Sequence, residues 1–211
     1  MSTPNKYQNH THSYLALRKT VGWIGVLLPF VLLIGTHLLD NNSWESISHY
    51  YYSTMGRVFI GALCAVALFM FFYTGFDWRD DWAGNCAGVF AIGVAWFPTT
   101  KVGDIDTIGW IHYGCAASLF LTFAIFSLVL FTKTKDDDDS NRTPEKRSRD
   151  RIYKLCGWAI IFCVVSIPVY AKLWPDSEFE YTFWAETAAL IAFGFSWLTK
   201  GGAILSDRNK H

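Results

Sequence analysis

Six long apolar runs constrain this chain more than any other feature of its sequence. They lie near residues 21–39, 57–76, 82–98, 108–132, 152–173 and 181–199. A helix needs about 20 predominantly apolar residues to cross a bilayer. The 82–98 run is barely long enough, which thinning of the bilayer or burial within the protein accommodates. The runs therefore predict an all-α polytopic membrane protein with six transmembrane helices.

The composition also favours a membrane protein. Hydrophobic residues make up 52% of the chain and charged residues only 17%, whereas a soluble domain carries about 25% charged residues. The formal net charge is zero, so the chain lacks the basic footprint of a protein that binds nucleic acid. All five cysteines fall inside apolar runs, where a free cysteine behaves as a small buried hydrophobe, and we expect no disulfide framework.

Lysine and arginine are distributed unevenly between the two sides of such a bundle. The first run is too long for the core of a signal peptide, so we treat it as a retained span. If the N-terminus is cytoplasmic, six spans leave 15 of the 18 basic residues inside and only Arg57, Lys101 and Lys172 outside. Because cytoplasmic loops are enriched in lysine and arginine, the pattern predicts that both termini are cytoplasmic.

The same topology divides the chain into five segments. Residues 1–20 form a cytoplasmic N-terminal segment, 21–132 hold spans one to four, 133–151 form a cytoplasmic charged loop, 152–199 hold spans five and six, and 200–211 form a cytoplasmic tail. The charged loop has four consecutive aspartates followed by a basic cluster beside span five. This composition is typical of a hydrophilic, solvated hinge.

Ionisable side chains within or beside the spans concentrate at the predicted outer end. Such groups are costly inside a membrane and are usually functional. The set comprises His37, His49, Arg57, His112 and Glu186. Because separate segments bring these side chains to one depth, we expect a polar pocket that faces the outside.

The leading hypothesis is that this pocket binds a lipid headgroup or another small anion, which makes membrane lipids the expected partners. Arg57 is the expected anion contact, because a guanidinium pairs bidentately with phosphate. His112, Glu186 and His37 are expected to line the pocket, with Ser48 and Tyr50 at its mouth.

A second hypothesis is an intramembrane zinc hydrolase that acts on lipid. Together with a carboxylate, His37, His49 and His112 are enough ligands for a catalytic zinc with an open water position. No HxxxH or HExxH motif places two of them on one helix face, so the sequence leaves open whether the chain is an enzyme. In a third interpretation, the chain is a structural or assembly subunit of the membrane whose span three pairs with another chain. Arg57 then lies at the interface or pairs with Glu186, and the histidines bond tyrosines and backbone carbonyls.

Small residues recur at every fourth position along span three. Ala83, Ala87, Ala91 and Ala95 lie beside a GxxxG pair. Small residues at this spacing let helix backbones approach closely in lipid. We therefore expect span three at the centre of the bundle, or in contact with a second copy of the chain or another membrane protein.

Five stretches of the sequence carry a resemblance: SISHYYYSTMGRVFIGAL, DDWAGNCAGVFAIGVAWFPT, IHYGCAASLFL, RIYKLCGWAI and FWAETAALIAFGFSWLTKG. Together they resemble uncharacterised multi-pass proteins of the bacterial inner membrane, which form families of unknown function. The resemblance implies six spans in that membrane and no assigned activity. It marks as signature positions Ser46, Ser48, Tyr50, Tyr51, Pro98, Thr99 and His112, with His49 at a variable one. In layout alone, the chain is also similar to the seven-span alkaline ceramidases and adiponectin receptors, which hold zinc through histidines.

Overall fold

The computed structural model describes residues 6–41, 44–100, 105–133, 143–175, 177 and 179–205, which form helices and their connections. Six α-helices follow one another: α1 (Lys6–Asp40), α2 (Gly56–Phe71), α3 (Trp78–Trp96), α4 (Thr107–Ile125), α5 (Pro144–Leu173) and α6 (Tyr181–Lys200). A 3-10 helix, Ser48–Tyr52, precedes α2, and a π-helical turn, Phe126–Leu130, continues α4. The all-α prediction is confirmed for the described residues.

Within the described part of the chain, three helices are long and apolar enough to cross a membrane. They are Tyr14–Asp40 of α1, Thr107–Leu130 of α4 with its π turn, and α5. Helix α2 is apolar but has only 16 residues, about 24 Å at 1.5 Å per residue. The three long apolar helices indicate a membrane protein.

Two segments predicted as polar connections are helical. Helix α1 already begins at Lys6, and α5 begins at Pro144, so residues 144–151 of the predicted charged loop belong to α5. The Thr143 side chain accepts a hydrogen bond from the Lys146 amide at 3.2 Å and caps α5. Because proline suits the first helical position, these start signals outweigh the charge of the segment. Residues 134–142 of the predicted loop lie outside the described residues.

The six helices alternate in direction and close into a ring. Each packs against the next one along the chain, and α6 packs against α1. At one end, the Phe183 amide donates to the Glu45 carbonyl at 3.0 Å. At the other, the Tyr14 hydroxyl donates to the Thr74 carbonyl, and Lys200 ends α6. We call these the Glu186 end and the Lys200 end.

Helix α3 is a member of this ring rather than its centre, contrary to the prediction from its small residues. It packs mainly between α2 and α4. A Cβ atom at Gly84 would lie 2.7 Å from the Met70 carbonyl oxygen, and one at Gly88 would lie 2.6 Å from the Phe71 ring. The glycine face of α3 therefore packs against α2 within the chain. Contact with a partner through α3 stays a prediction.

Helices α1 and α6 approach each other closely at two glycines. A Cβ atom at Gly194 would lie 2.5 Å from the Gly22 carbonyl oxygen and 2.6 Å from Cγ2 of Val26. Conversely, a Cβ atom at Gly22 would lie 2.9 Å from the Gly194 carbonyl oxygen. Since backbone atoms form this contact, a larger residue cannot be accommodated by a side-chain rotation. The two glycines allow the crossing that closes the ring.

An aromatic cluster fills the interior of the ring towards the Lys200 end. The buried Trp197 ring lies 5.4 Å from the Tyr73 ring, 5.7 Å from Phe126, 5.1 Å from Phe131 and 6.0 Å from Phe193, measured between centroids. Tilted and edge-to-face pairs at these distances add to the stabilisation that comes from burial. We call these five residues the Trp197 cluster.

The outer surface of the ring is apolar. Large side chains such as Leu38, Phe72 and Phe162 are exposed, at 77%, 76% and 71% of their surface. Monomeric soluble proteins rarely expose such contiguous apolar area. Exposed tryptophans lie near both ends, with Trp78 at the Lys200 end and Trp96 at the Glu186 end. Tryptophan at both ends of an apolar surface is typical of a protein whose sides contact lipid.

The α1–α6 crossing yields a stability prediction. We expect Gly194→Ala to lower the free energy of unfolding by about 1–3 kcal/mol, because the new methyl group meets backbone atoms of α1. Thermal unfolding in detergent measures the effect. Gly114→Ala on α4 is the matched control, since a Cβ atom there meets no atom within 4 Å. Equal stability of the two variants would contradict the close crossing.

Candidate functional site at the Glu186 end

Residues 44–55 fold across the Glu186 end of the ring, and we call them the cover segment. This segment contains the 3-10 helix and connects α1 to α2. The buried Tyr50 ring packs on Phe183 of α6 with 5.9 Å between centroids. Near α1, both the amide and the hydroxyl of Thr54 donate to Oδ2 of Asp40, at 3.1 and 2.9 Å. Contacts with α1 and α6 thus hold the cover segment in place.

Glu186 joins the cover segment to α6 through its carboxylate. Its Oε2 accepts a hydrogen bond from the Ile47 amide at 2.7 Å. The Ser48 amide faces the same carboxylate. Amides at the start of a helix have no partner within that helix, and amide donors stabilise an ionised carboxylate. Glu186 of α6 therefore accepts from amides at the start of the 3-10 helix, which have no partner within that helix.

His49 is held by hydrogen bonds at both ring nitrogens. Nδ1 lies 2.7 Å from the Ser46 hydroxyl, and Nε2 lies 3.0 Å from the Thr100 carbonyl oxygen. Since a carbonyl only accepts, Nε2 carries the proton, and Nδ1 accepts from the hydroxyl. The ring also stacks against Trp44, with 6.5 Å between centroids. His49 links the cover segment to the α3–α4 connection and has no nitrogen left for a metal.

His112 is buried one turn into α4, and its Nδ1 lies 2.7 Å from the Phe97 carbonyl oxygen, where α3 ends. Its neighbour Tyr113 is within 3.2 Å of the Thr99 hydroxyl, which donates to the tyrosine oxygen. In the cover segment, Tyr52 donates to the Thr99 carbonyl at 2.7 Å. Burial raises the pKa of Tyr52, so this hydroxyl keeps its proton. These bonds fasten the end of α3 to the cover segment and α4.

A cavity of about 50 Å³ lies beneath the cover segment, in the interior of the ring. Its walls come from α1, α2, α3, α4 and α6, and Ile47 and Ser48 contribute from the cover segment. Fifteen of the 17 lining residues are apolar or glycine, and Ser48 and Glu186 are the others. We call it the Glu186 cavity. It combines an apolar interior with one carboxylate and one hydroxyl.

The structure brings together part of the predicted site. Ser48 and Glu186 line the Glu186 cavity, and Tyr50 and His112 are buried in the adjoining packing. Arg57 and His37 do not line the cavity: both are exposed, on the first turn of α2 and the last turn of α1. The structure also adds lining residues that the sequence did not single out, among them Leu119, Phe123 and Phe193.

The described residues contain no group of three or more histidine, cysteine, aspartate or glutamate side chains placed to hold a metal ion. His37 is exposed, and His49 and His112 each bond a backbone carbonyl. The zinc hydrolase therefore stays a prediction, which this geometry does not strengthen.

Comparisons with protein families, curated proteins and solved structures find no match to this chain. The resemblance to uncharacterised inner-membrane proteins and the similarity of layout to the ceramidases and adiponectin receptors therefore stay predictions.

The Glu186 contact predicts how firmly the cover segment is held. In Glu186→Ala the Ile47 amide loses its acceptor, and we expect hydrogen exchange in residues 44–52 to accelerate at least about tenfold. Exchange followed by mass spectrometry measures this. Glu186→Gln keeps an acceptor oxygen and should show a smaller change, and residues 60–70 of α2 serve as an internal reference. Unchanged exchange in Glu186→Ala would mean that other contacts hold the segment.

Proposed function

We propose that this chain is a multi-pass membrane protein that binds a lipid-like molecule in the Glu186 cavity. The apolar part of the ligand occupies the interior, and a hydrogen-bond donor at its end meets Glu186 and Ser48. The observation that carries the proposal is the pairing of an apolar cavity, walled by five helices, with a single carboxylate that lines it.

The size of the cavity suits a short stretch of hydrocarbon. A buried water needs roughly 10–15 Å³ of such space, so 50 Å³ holds about three to five groups of that size. An apolar cavity is poorly hydrated, and filling it with hydrocarbon restores the dispersion contacts that its walls lack. The cavity therefore favours a few methylene groups over water.

The acidic side chain of the cavity favours a ligand that donates a hydrogen bond over the anion expected from the sequence. Among the described lining residues Glu186 has the one ionisable side chain, and it is acidic. Arg57, the expected anion contact, is exposed and does not line the cavity. A hydroxyl or ammonium group can donate to the carboxylate, whereas a second anion next to it is repelled.

The proposal includes the topology expected from the sequence, with six spans, both termini in the cytoplasm and the inner membrane as location. Two observations support it. The helices alternate in direction, so the start of α1 and the end of α6 both lie at the Lys200 end. Arg18, Lys133 and Lys146 also lie at that end, as expected for the cytoplasmic face under the positive-inside rule.

A series of four-carbon probes tests the choice of ligand. We expect butylammonium and 1-butanol to bind detergent-purified protein at least about tenfold more tightly than butyrate, because only the first two donate to a carboxylate. Saturation-transfer NMR measures the binding. In Glu186→Gln the preference for butylammonium over 1-butanol should fall, since the charge is lost.

A matched pair of substitutions locates the binding. Ala116 lines the cavity and Ala117, the next residue of α4, is exposed. Ala116→Phe fills the cavity and should abolish binding, while Ala117→Phe should leave it unchanged. Equal binding of butyrate, or full binding by Ala116→Phe, would count against the proposal.

Reporter fusions test the topology. Fusions of a fluorescent protein that folds only in the cytoplasm should fluoresce after residues 135 and 211, whereas fusions after residues 41 and 103 should stay dark. Alkaline phosphatase fusions at the same sites should give the opposite pattern. A fluorescent fusion after residue 103 would rule out the proposed arrangement of the middle helices.

A further inference from the structure

A second cavity, of about 300 Å³, lies at the Lys200 end of the ring. Its walls are Tyr14 and Arg18 of α1, residues 73–76 after α2, and Lys200 of α6. Its volume falls at the lower limit of pockets that bind small molecules. It shares no lining residue with the Glu186 cavity. We call it the Lys200 cavity, and its chemistry differs from that of the first.

Arg18 is held in this cavity by aromatic rings rather than by an acid. Its guanidinium carbon lies 4.3 Å from the Tyr14 ring centroid and 5.6 Å from that of Tyr73, and the Tyr73 hydroxyl is within hydrogen-bonding reach of it. Its Nε is buried and has no hydrogen-bonding partner among the described residues. A guanidinium placed in this way keeps donors available for a ligand.

Lys200 supplies the second cation. Its ammonium lies 5.4 Å from the Phe76 ring centroid and 5.1 Å from that of Phe131. It makes no ion pair among the described residues, and no described acidic side chain lines the cavity. Two cations thus face one cavity without a counter-charge within it.

The nearest acids are engaged elsewhere. Lys133 lies 3.1 Å from Asp77 and 3.0 Å from Asp80, and Asp80 also accepts from the amides of Phe76 and Asp77. Asp81 accepts from the Gly75 amide at 3.2 Å. These carboxylates shape the α2–α3 connection and the start of α3. Asp80 Oδ1 is buried without a hydrogen-bonding partner among the described residues, and its charge attracts Lys200, but none of these acids lines the cavity.

The surroundings add further positive charge. Arg18, Lys146 and Arg149 lie close enough for their charges to repel that of Lys200, whereas Asp80 attracts it and Lys146 is itself paired with Asp150. Partly buried like charges destabilise each other and each loses hydration. An anion in the cavity would reduce the repulsion between these cations and replace part of their lost hydration.

We propose that the Lys200 cavity binds a phosphate group through Arg18 and Lys200. The planar guanidinium matches two phosphate oxygens, and the ammonium supplies a second cation at the other wall. The group belongs either to the headgroup of an anionic lipid or to a soluble phosphate compound, and both present the same chemistry to these side chains. This proposal does not depend on the ligand of the Glu186 cavity.

The test measures binding of two probes to the full chain. Inorganic phosphate is titrated into detergent-purified protein by calorimetry, with chloride held constant. In parallel, the protein is reconstituted in nanodiscs of phosphatidylcholine with 10% phosphatidic acid, and native mass spectrometry records which lipid is retained. Binding of phosphate alone identifies a soluble ligand, and retention of phosphatidic acid without phosphate binding identifies a headgroup. Either result supports the site, and failure of both probes overturns it.

Matched substitutions separate the cavity from the general positive charge of this end. Arg18→Gln and Lys200→Gln should each weaken binding at least about tenfold, and Arg18→Lys should restore part of it. Arg151→Gln and Lys154→Gln remove the same charge from exposed positions on α5, and they should bind like the wild type.

If the α5 controls lose as much binding as the cavity variants, the phosphate group is attracted to the positive surface in general, and the proposed site is overturned. Should Arg18→Gln fail to fold, Lys200→Gln decides alone, because Lys200 is the last residue of α6. Elution as a single species from size exclusion verifies folding of each variant before it is titrated.

Discussion

The close crossing of α1 and α6 is the contact on which the rest of the architecture depends. Helices that follow one another along the chain are joined directly by a connecting segment, but α1 and α6 lie at opposite ends of the sequence. Gly22 and Gly194 let their backbones touch, with no side chain between them. In lipid, where apolar burial drives association weakly, such close packing is a main source of helix affinity. Because this crossing closes the ring, it also creates an interior that can hold a cavity.

The two ends of the interior differ in the sign of their charge. At the Glu186 end, one carboxylate satisfies amides of the 3-10 helix and borders an apolar cavity. At the Lys200 end, Arg18 and Lys200 border a cavity without a described acid. In a low-dielectric interior an acidic group favours a ligand that donates a hydrogen bond, and a pair of basic groups favours an anion. The two proposed ligands differ accordingly: a hydrogen-bond donor at the Glu186 end and a phosphate group at the Lys200 end.

Much of the fold can be predicted from the sequence, because apolar length and turn signals are local properties. The runs locate all six helices, and the alternation of their directions brings Ser48, His49, His112 and Glu186 to one end. Depth along a helix is thus predictable, but the direction in which a side chain points around the helix axis is not. Arg57 and His37 have the expected depth and yet face outwards.

Other features cannot be read from the sequence for related reasons. Cavity walls and lipid-facing surfaces use the same apolar residues, so Leu119 and Phe193 carry no signal of their position. The small residues of α3 indicate a close neighbour, but they do not say that this neighbour is α2 or that the centre of the ring lies elsewhere. In the sequence, Arg18 and Lys200 cannot be distinguished from the other basic residues that indicate membrane topology. Only the packing of the helices places them around one cavity.

The Trp197 cluster has a consequence for traffic along the axis of the ring. Phe193 of this cluster lines the Glu186 cavity and Tyr73 lines the Lys200 cavity, with the indole packed between them. These edge-to-face and tilted rings fill the space between the two cavities, so a solute can pass along the axis only if the helices move apart. In this conformation the two cavities are therefore closed off from each other, and a ligand can enter each of them only from its own end of the ring.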